Sequence, residues 1–502
     1  MGTARSAGTR AAAVVLAALF ATFAPGIDPA LAQDDSEQPW APAGEPGPPP
    51  IDTGSPDKAY KQTVQCVSSG VGEHSTVSGS EIKDIPWGQA HLQLDRVHDY
   101  VRSHSRYGEI GVDERTGKPL KVAVIDTGVT PHEYLGNRLI AGGDYVKSGG
   151  NGLRDCDGHG TQVAGIIGAD PADPAIGFTG VAPDVQIVSI RQSSQNFSEQ
   201  TDSTGSGERT LDSPTGAGDQ STLAQAIVRA VDEYDVDVIN MSVDACRPYT
   251  GSNALVSEEE RMLRGAVHYA TEQNVVVVAA AGNTGGACRQ NGVPIKGDPR
   301  IPDPDEPRTI VTPPWFSEDL LAVGAIDETG SVADFSMHGP WVSVAAPGTG
   351  IISLDPAPDS SRSLVNVMFE GEEAVPSQGT SFAAPYVSGL AVLVRQMYPE
   401  LSAREIMHRI TTTAQHPGAI DGHDQYIGYG VIDPMAALTM TLPEEIGMKP
   451  EQDITLPSSM PPPYDPNPAP KIVAFAGTGG GLLALGCTML AVHALRRNRK
   501  DG

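Results

Sequence analysis

Val122-Ala-Val-Ile-Asp126-Thr-Gly128 is a short apolar run that ends on a carboxylate and a turn. Val and Ile without polar alternation suit a strand covered on both faces, which is the habit of parallel sheets. A carboxylate that closes such a strand stands at the C-terminal edge of the sheet, where the sites of α/β proteins gather. Lys121–Ile125, Gln186–Ile190, Val236–Asn240, Asn274–Ala279 and Leu320–Ala325 are predicted strands of this kind. Helices are expected between them at Thr222–Tyr234 behind a Ser221 cap, at Ser257–Glu272, and at Ala403–Thr413, where Ser402 and Glu405 form a capping box. The alternation runs from about Lys118 to Leu442 and gives an α/β fold class with a mainly parallel central sheet.

Two distant stretches complete a chemistry that Asp126 begins. Gly158-His159-Gly160-Thr161-Gln-Val-Ala-Gly165 places a histidine between glycines, at the entry to a helix expected near Thr161. Gly379-Thr380-Ser381-Phe-Ala-Ala-Pro385 places a serine at the start of an apolar helix over Phe382–Met397. A serine hydroxyl is a weak nucleophile that needs a base in reach, and the base needs a carboxylate to fix its tautomer. A helix N-terminus favours the negative charge of a tetrahedral intermediate. Ala279-Ala-Ala-Gly282-Asn283 follows another buried strand and offers an amide donor. Asp-Thr-Gly alone is a weak signal; four motifs in the order Asp, His, Asn, Ser are a specific one.

Over Lys118–Leu442 these motifs resemble the subtilisin-like serine peptidases. The resemblance implies a three-layer domain, a triad of Asp126, His159 and Ser381, and Asn283 as oxyanion donor with the Ser381 backbone N–H. It also implies that Ile239-Asn-Met-Ser242-Val243-Asp244 supplies an edge strand for an extended peptide. Ser242, Val243 and Asp244 would then wall the primary specificity pocket with Ala280, Ala281 and Gly282. Asp244 stands where many relatives carry glycine, so an acidic or narrowed rim is expected and no preferred side chain follows.

The ends of the chain place this chemistry. Arg5 and Arg10, the apolar Ala11–Ala24 and Ala30-Leu31-Ala32 before Gln33 read as a secretory signal peptide over 1–32, with an uncleaved anchor or a buried helix as the alternative. Residues 33–117 form an extension that starts Pro-rich, at Pro48-Pro49-Pro50. The peptidase domain is expected over 118–442 and a Pro-rich spacer over 443–471, including Pro461-Pro462-Pro463. Ile472–Leu495 carries no charged residue, and at about 1.5 Å per residue it can cross a hydrocarbon core of about 30 Å. Arg496, Arg497, Arg499 and Lys500 follow in the tail 496–502, so a single type I span is expected with the catalytic domain outside the cytoplasmic membrane. Whether Gly477 and Gly481 pair such helices is open.

Composition limits the partners. With 34 Lys+Arg against 62 Asp+Glu, the net charge of −28 repels nucleic acid, so proteins or peptides are the expected substrates. The polar insert between Arg191 and Ser221 has almost no large apolar residue after Phe197 and is expected to be a surface loop, either regulatory or merely tolerated. No cofactor is expected. The acidic loops Asp155-Cys-Asp157 and Asp303-Pro-Asp305 show no ligand spacing, so they are read as solvated and no metal is expected. Cys487 lies in the expected span, which leaves Cys66, Cys156, Cys246 and Cys288 for an oxidising compartment, with three possible pairings.

As a set, the leader, the extension, the four outer cysteines, Gly428-Tyr-Gly-Val-Ile-Asp-Pro434 and the C-terminal span resemble one subgroup, the mycosins, membrane-anchored subtilases of type VII secretion systems. The resemblance implies type VII secretion membrane components as partners and an extension that stays wrapped around the catalytic domain, with disulfides Cys66–Cys156 and Cys246–Cys288. It leaves two functions of different class, a peptidase of few secreted substrates and a structural subunit of a secretion complex. A pseudoenzyme is disfavoured by the intact triad and oxyanion residues.

Overall fold

The structure, a computed structural model, describes residues 46–72, 82–171, 173–200, 216–249, 256–292, 294–295, 298–302, 307–357, 364–370, 373–419, 422–443, 445 and 482–493. The expected leader 1–32, most of the spacer 443–471 and the tail 496–502 lie outside these residues. Among the described residues no helix is long and apolar enough to cross a membrane. Of the apolar segment 472–495, residues 482–493 are helical and the others lie outside the described residues. Residues 441–502 form a unit separate from 1–440.

Seven parallel strands form the central sheet: β1 (Lys121–Asp126), β2 (Leu139–Asp144), β3 (Gln186–Arg191), β4 (Val238–Met241), β5 (Val276–Ala280), β6 (Leu321–Ile326) and β7 (Val342–Pro347). Their spatial order is β7-β6-β5-β4-β1-β3-β2. The principal helices are α1 (Leu94–His104), α2 (His159–Gly168), α3 (Gln220–Asp232), α4 (Glu258–Glu272), α5 (Thr380–Met397) and α6 (Ala403–Thr412). β1 shows why the fold has three layers. Its Val122 and Val124 join the core that α1, α2 and α5 fill with Val97, Val163 and Leu390. Ala123 and Ile125 point the other way, into a second core with Ile227 of α3 and Val267 of α4.

Several sequence expectations shift. β2 and β7 were not expected: β2 is interrupted by Gly142 and Gly143, where its register with β3 slips, and β7 ends on Pro347. α3 starts at Gln220, and its cap is Asp219, whose side chain accepts the Thr222 N–H; Ser221 lies inside the helix. α2 starts at His159 itself and α5 at Thr380. Ile239-Asn-Met is not an edge strand, because β4 lies between β1 and β5 and is fully buried. Only Ser242–Asp244 leaves the sheet, before Ala245–Pro248 pairs with Thr309–Thr312.

The insert after Arg191 is not wholly loop. Phe197–Glu199 pairs antiparallel with Tyr60–Gln62 of the extension, and Phe197 is buried under the Arg191 guanidinium at 4.5 Å. Residues 201–215 lie outside the described residues. The extension is held again where Ser68–Gly70 pairs with Val367–Phe369, and where the disulfide Cys66–Cys156 joins it to the loop ahead of His159. Its Ile82, Leu94, Val97, Val101 and Ile110 are buried in the main core. At about 1.5–3 kcal/mol for each large apolar side chain, those contacts rival the net stability of a whole domain.

Candidate active site

β1 delivers Asp126 to the C-terminal edge of the sheet, and α2 delivers His159 from its first residue. Asp126 is fully buried, and its Oδ1 accepts the Thr127 N–H at 2.7 Å and His159 Nδ1–H at 2.7 Å. That bond leaves Nε2 of His159 unprotonated in the neutral ring, which is the form a general base needs. The two flanking glycines are required here. Gly158 has φ +78°, and a Cβ on Gly160 would stand 2.2 Å from the Gly128 carbonyl oxygen and 3.1 Å from the Asp126 carboxylate. Burial works to lower the His159 pKa, but the charge and hydrogen bond of Asp126, with the charges of Asp155 and Asp157, outweigh it and raise it above 6.5.

Asp155, read from sequence as part of a solvated loop, is buried at the catalytic corner. Its Oδ1 accepts the Thr127 hydroxyl at 2.9 Å and the Gly158 N–H at 2.7 Å. Its Oδ2 accepts the N–H and hydroxyl of Thr161 at 2.9 and 2.7 Å. One carboxylate therefore joins the turn after Asp126 to the helix that begins at His159, and it faces that helix N-terminus. Burial pushes its carboxyl up to about 6. Asp157 is also engaged, by the Ser194 hydroxyl and the Gln195 N–H, both at 2.6 Å. Asp303 and Asp305 lie outside the described residues. Among the described residues no group of three His, Cys, Asp or Glu could hold a metal ion.

Ser381 is the second residue of α5 and is half-buried. Its hydroxyl makes no hydrogen bond among the described residues, and the Phe382 ring packs 5.1 Å from that of His159. Asn283 meets the same helix N-terminus: its Oδ1 accepts the Thr380 N–H at 2.9 Å and the Thr380 hydroxyl at 3.2 Å. A backbone N–H can only donate, so this bond fixes which end of the amide is oxygen and leaves Nδ2 as a donor without a hydrogen bond among the described residues. The Gly282 N–H in turn donates to the Thr380 hydroxyl at 3.2 Å. The first-turn N–H of Ser381 and Nδ2 of Asn283 are thus two donors at the N-terminus of α5, beside the Ser381 side chain.

Of the expected pocket residues, Ser242 turns inward. It is 3% exposed, and its hydroxyl donates to the Ser381 carbonyl at 2.6 Å. Asn240 Nδ2 donates to the Ser242 hydroxyl at 2.9 Å, and the Ser388 hydroxyl donates to Asn240 Oδ1 at 2.8 Å. Val243 packs half-buried against the second core, which also holds Ala281, and Ala280 is buried as well. What Ser242, Val243, Ala280 and Ala281 can offer a ligand is backbone. Asp244 is exposed, and its Oδ2 lies 3.1 Å from the position a Cβ on Gly282 would take. Near it, Cys246 is bonded to Cys288. Asp155, Asn240 and Ser388 were missed by sequence reasoning. A carboxylate four residues ahead of the histidine, with a threonine two residues after it, was the signal for Asp155.

Comparison with known proteins agrees with this geometry. Residues 117–430 match the model of the subtilase family, peptidase family S8. Mycosin-1 of Mycobacterium tuberculosis is 42% identical over 473 residues, covering 91% of this chain and 96% of that protein. The crystal structure of MycP1 from Mycobacterium smegmatis matches with a TM-score of 0.67 at 37% identity, over 83% of this chain and 99% of that one. A chain in the structure of the periplasmic assembly from the ESX-5 inner membrane complex matches with a TM-score of 0.67 at 37% identity, over 84% and 99%.

Proposed function

Because the chain belongs to the subtilase family of serine peptidases and, within it, to the mycosins, we propose that it is an endopeptidase anchored outside the cytoplasmic membrane that processes proteins exported by a type VII secretion system. The hydrogen bond of His159 to buried Asp126, beside a serine at a helix N-terminus, carries the peptidase reading. Ser381 Oγ attacks the scissile carbonyl while His159 Nε2 takes its proton. Asn283 Nδ2 and the Ser381 N–H stabilise the oxyanion. The intermediate collapses to an acyl-enzyme as His159 returns the proton to the leaving amine, and a water activated by the same base releases the acid. Asp126 holds the ring and stabilises the imidazolium throughout.

The location rests on the basic and apolar leader at 1–32, the charge-free stretch 472–495 and the basic residues after it. A second reading, a structural subunit that stabilises the secretion complex, is favoured by the likeness to a chain of the ESX-5 inner membrane complex. Both roles fit one protein. Complementation of a deletion strain separates them: secretion restored by wild type but not by Ser381→Ala makes proteolysis the essential role. Secretion restored equally by both makes the scaffold role essential and contradicts an essential peptidase.

A further inference from the structure

β4 and β5 end side by side, and both continuations reach the N-terminus of α5, through Ser242 on the Ser381 carbonyl and Asn283 on the Thr380 N–H. Asp244 crosses from the first continuation to the second. Its Oδ2 stands 3.1 Å from the position a Cβ on Gly282, the residue before Asn283, would take. The two other nearest atoms to that position are apolar, Val311 Cγ1 at 2.9 Å and Met337 Cγ at 3.2 Å. A peptide with its carbonyl carbon at Ser381 Oγ and its oxygen toward Asn283 Nδ2 brings the side chain of that same residue beside Asn283, where this carboxylate lies.

The carboxylate has no salt-bridge partner there. Among the described residues no Lys or Arg forms an ion pair with Asp244, although Arg247, three residues on, is engaged by Glu260 at 2.6 Å. Solvent reaches Asp244, so a ligand can too. An exposed carboxylate is ionised at neutral pH, and this one lacks a cation among the described residues. An ionised group that a bound ligand covers is stabilised by a partner of opposite charge, and a ligand without one leaves it desolvated and unpaired.

We propose that Asp244 determines specificity for the residue that contributes the scissile carbonyl and selects lysine or arginine at that position. The proposal rests on Ser381 as nucleophile. Peptidyl diphenyl phosphonates carrying a lysine-like or a norleucine-like side chain at that position test it, with adduct formation on the full-length protein followed by intact mass at pH 8. The readout is the ratio of the two labelling rates within each variant.

Wild type is expected to favour the lysine analogue by roughly 10–100-fold, the range of a charge-assisted hydrogen bond. Asp244→Asn removes the charge while keeping the size of the side chain and is expected to bring the ratio to near one. Asp244→Lys is expected to reverse it in favour of a glutamate analogue. A wild-type ratio near or below one, or a ratio that survives Asp244→Asn, would overturn the proposal. Failure of a generic fluorophosphonate to label the wild type would instead remove the nucleophile on which it rests.

Discussion

The Ser242 hydroxyl donates to the Ser381 carbonyl at 2.6 Å, and that carbonyl is the one Pro385 leaves without its helical donor. A proline four residues on has no N–H to return. The bond therefore ties the first turn of α5 to the end of β4, and Asn240 and Ser388 continue the tie into the core. Ser242→Ala is expected to lower kcat about tenfold with little change in KM, and to cost about 1–3 kcal/mol for an orphaned buried carbonyl. Adding Pro385→Ala restores a backbone donor and is expected to recover part of the loss, measured as the coupling energy of the double-mutant cycle. Additive effects would contradict this account of the bond.

Asn283→Ala removes the proposed oxyanion donor, whose Nδ2 makes no hydrogen bond among the described residues while Oδ1 is held by Thr380. Steady-state kinetics are expected to show kcat falling by about 10²–10³ with KM nearly constant, because the interaction strengthens only in the transition state. A pure KM effect would place Asn283 in ground-state binding instead.

The acid limb of activity follows from His159. The base must be neutral, and its pKa is raised above 6.5, so kcat/KM is expected to rise with pH through a midpoint above 6.5. Asp155→Asn removes one of the charges that raise it, and the midpoint is expected to move down while thermal stability falls. A midpoint at or below 6.5 in wild type, or an unmoved midpoint in the variant, would contradict the electrostatics.

The extension is held by Cys66–Cys156, by two strand pairings and by apolar burial. Cys66→Ser is expected to lower stability by about 2–5 kcal/mol, read from denaturant unfolding. Leu94→Ala is expected to cost a further 2–5 kcal/mol or so by leaving a cavity. Finding Cys66 as a free thiol in non-reducing peptide mapping would sink the picture of a fixed wrap.

Where a residue's part depended on its own strand or helix, it was legible in the sequence. The apolar run into Asp126 marked a buried parallel strand, and the glycines around His159 marked a tight helix entry. The Ser402 capping box also falls at its helix start. What depended on which elements meet was not legible. Ser242 sits two residues after Asn240, and nothing local says that its side chain turns under Ser381, 139 residues away. Asp155 looks like any acidic loop residue until the turn after Asp126 and the start of α2 close on it. β2 was hidden because its glycines weaken strand propensity and only its neighbour β3 holds it in the sheet.

The central claim is that Ser381 is a nucleophile activated by His159 and Asp126, and covalent labelling tests it most directly. Full-length protein treated with a fluorophosphonate at pH 8 should gain one adduct, which peptide mapping should place on Ser381. Ser381→Ala should gain none, and His159→Ala should react at least a hundredfold more slowly, the low end of general-base contributions of about 10²–10⁴-fold. A wild type that stays unlabelled, an adduct on another residue, or equal labelling of Ser381→Ala would contradict the account.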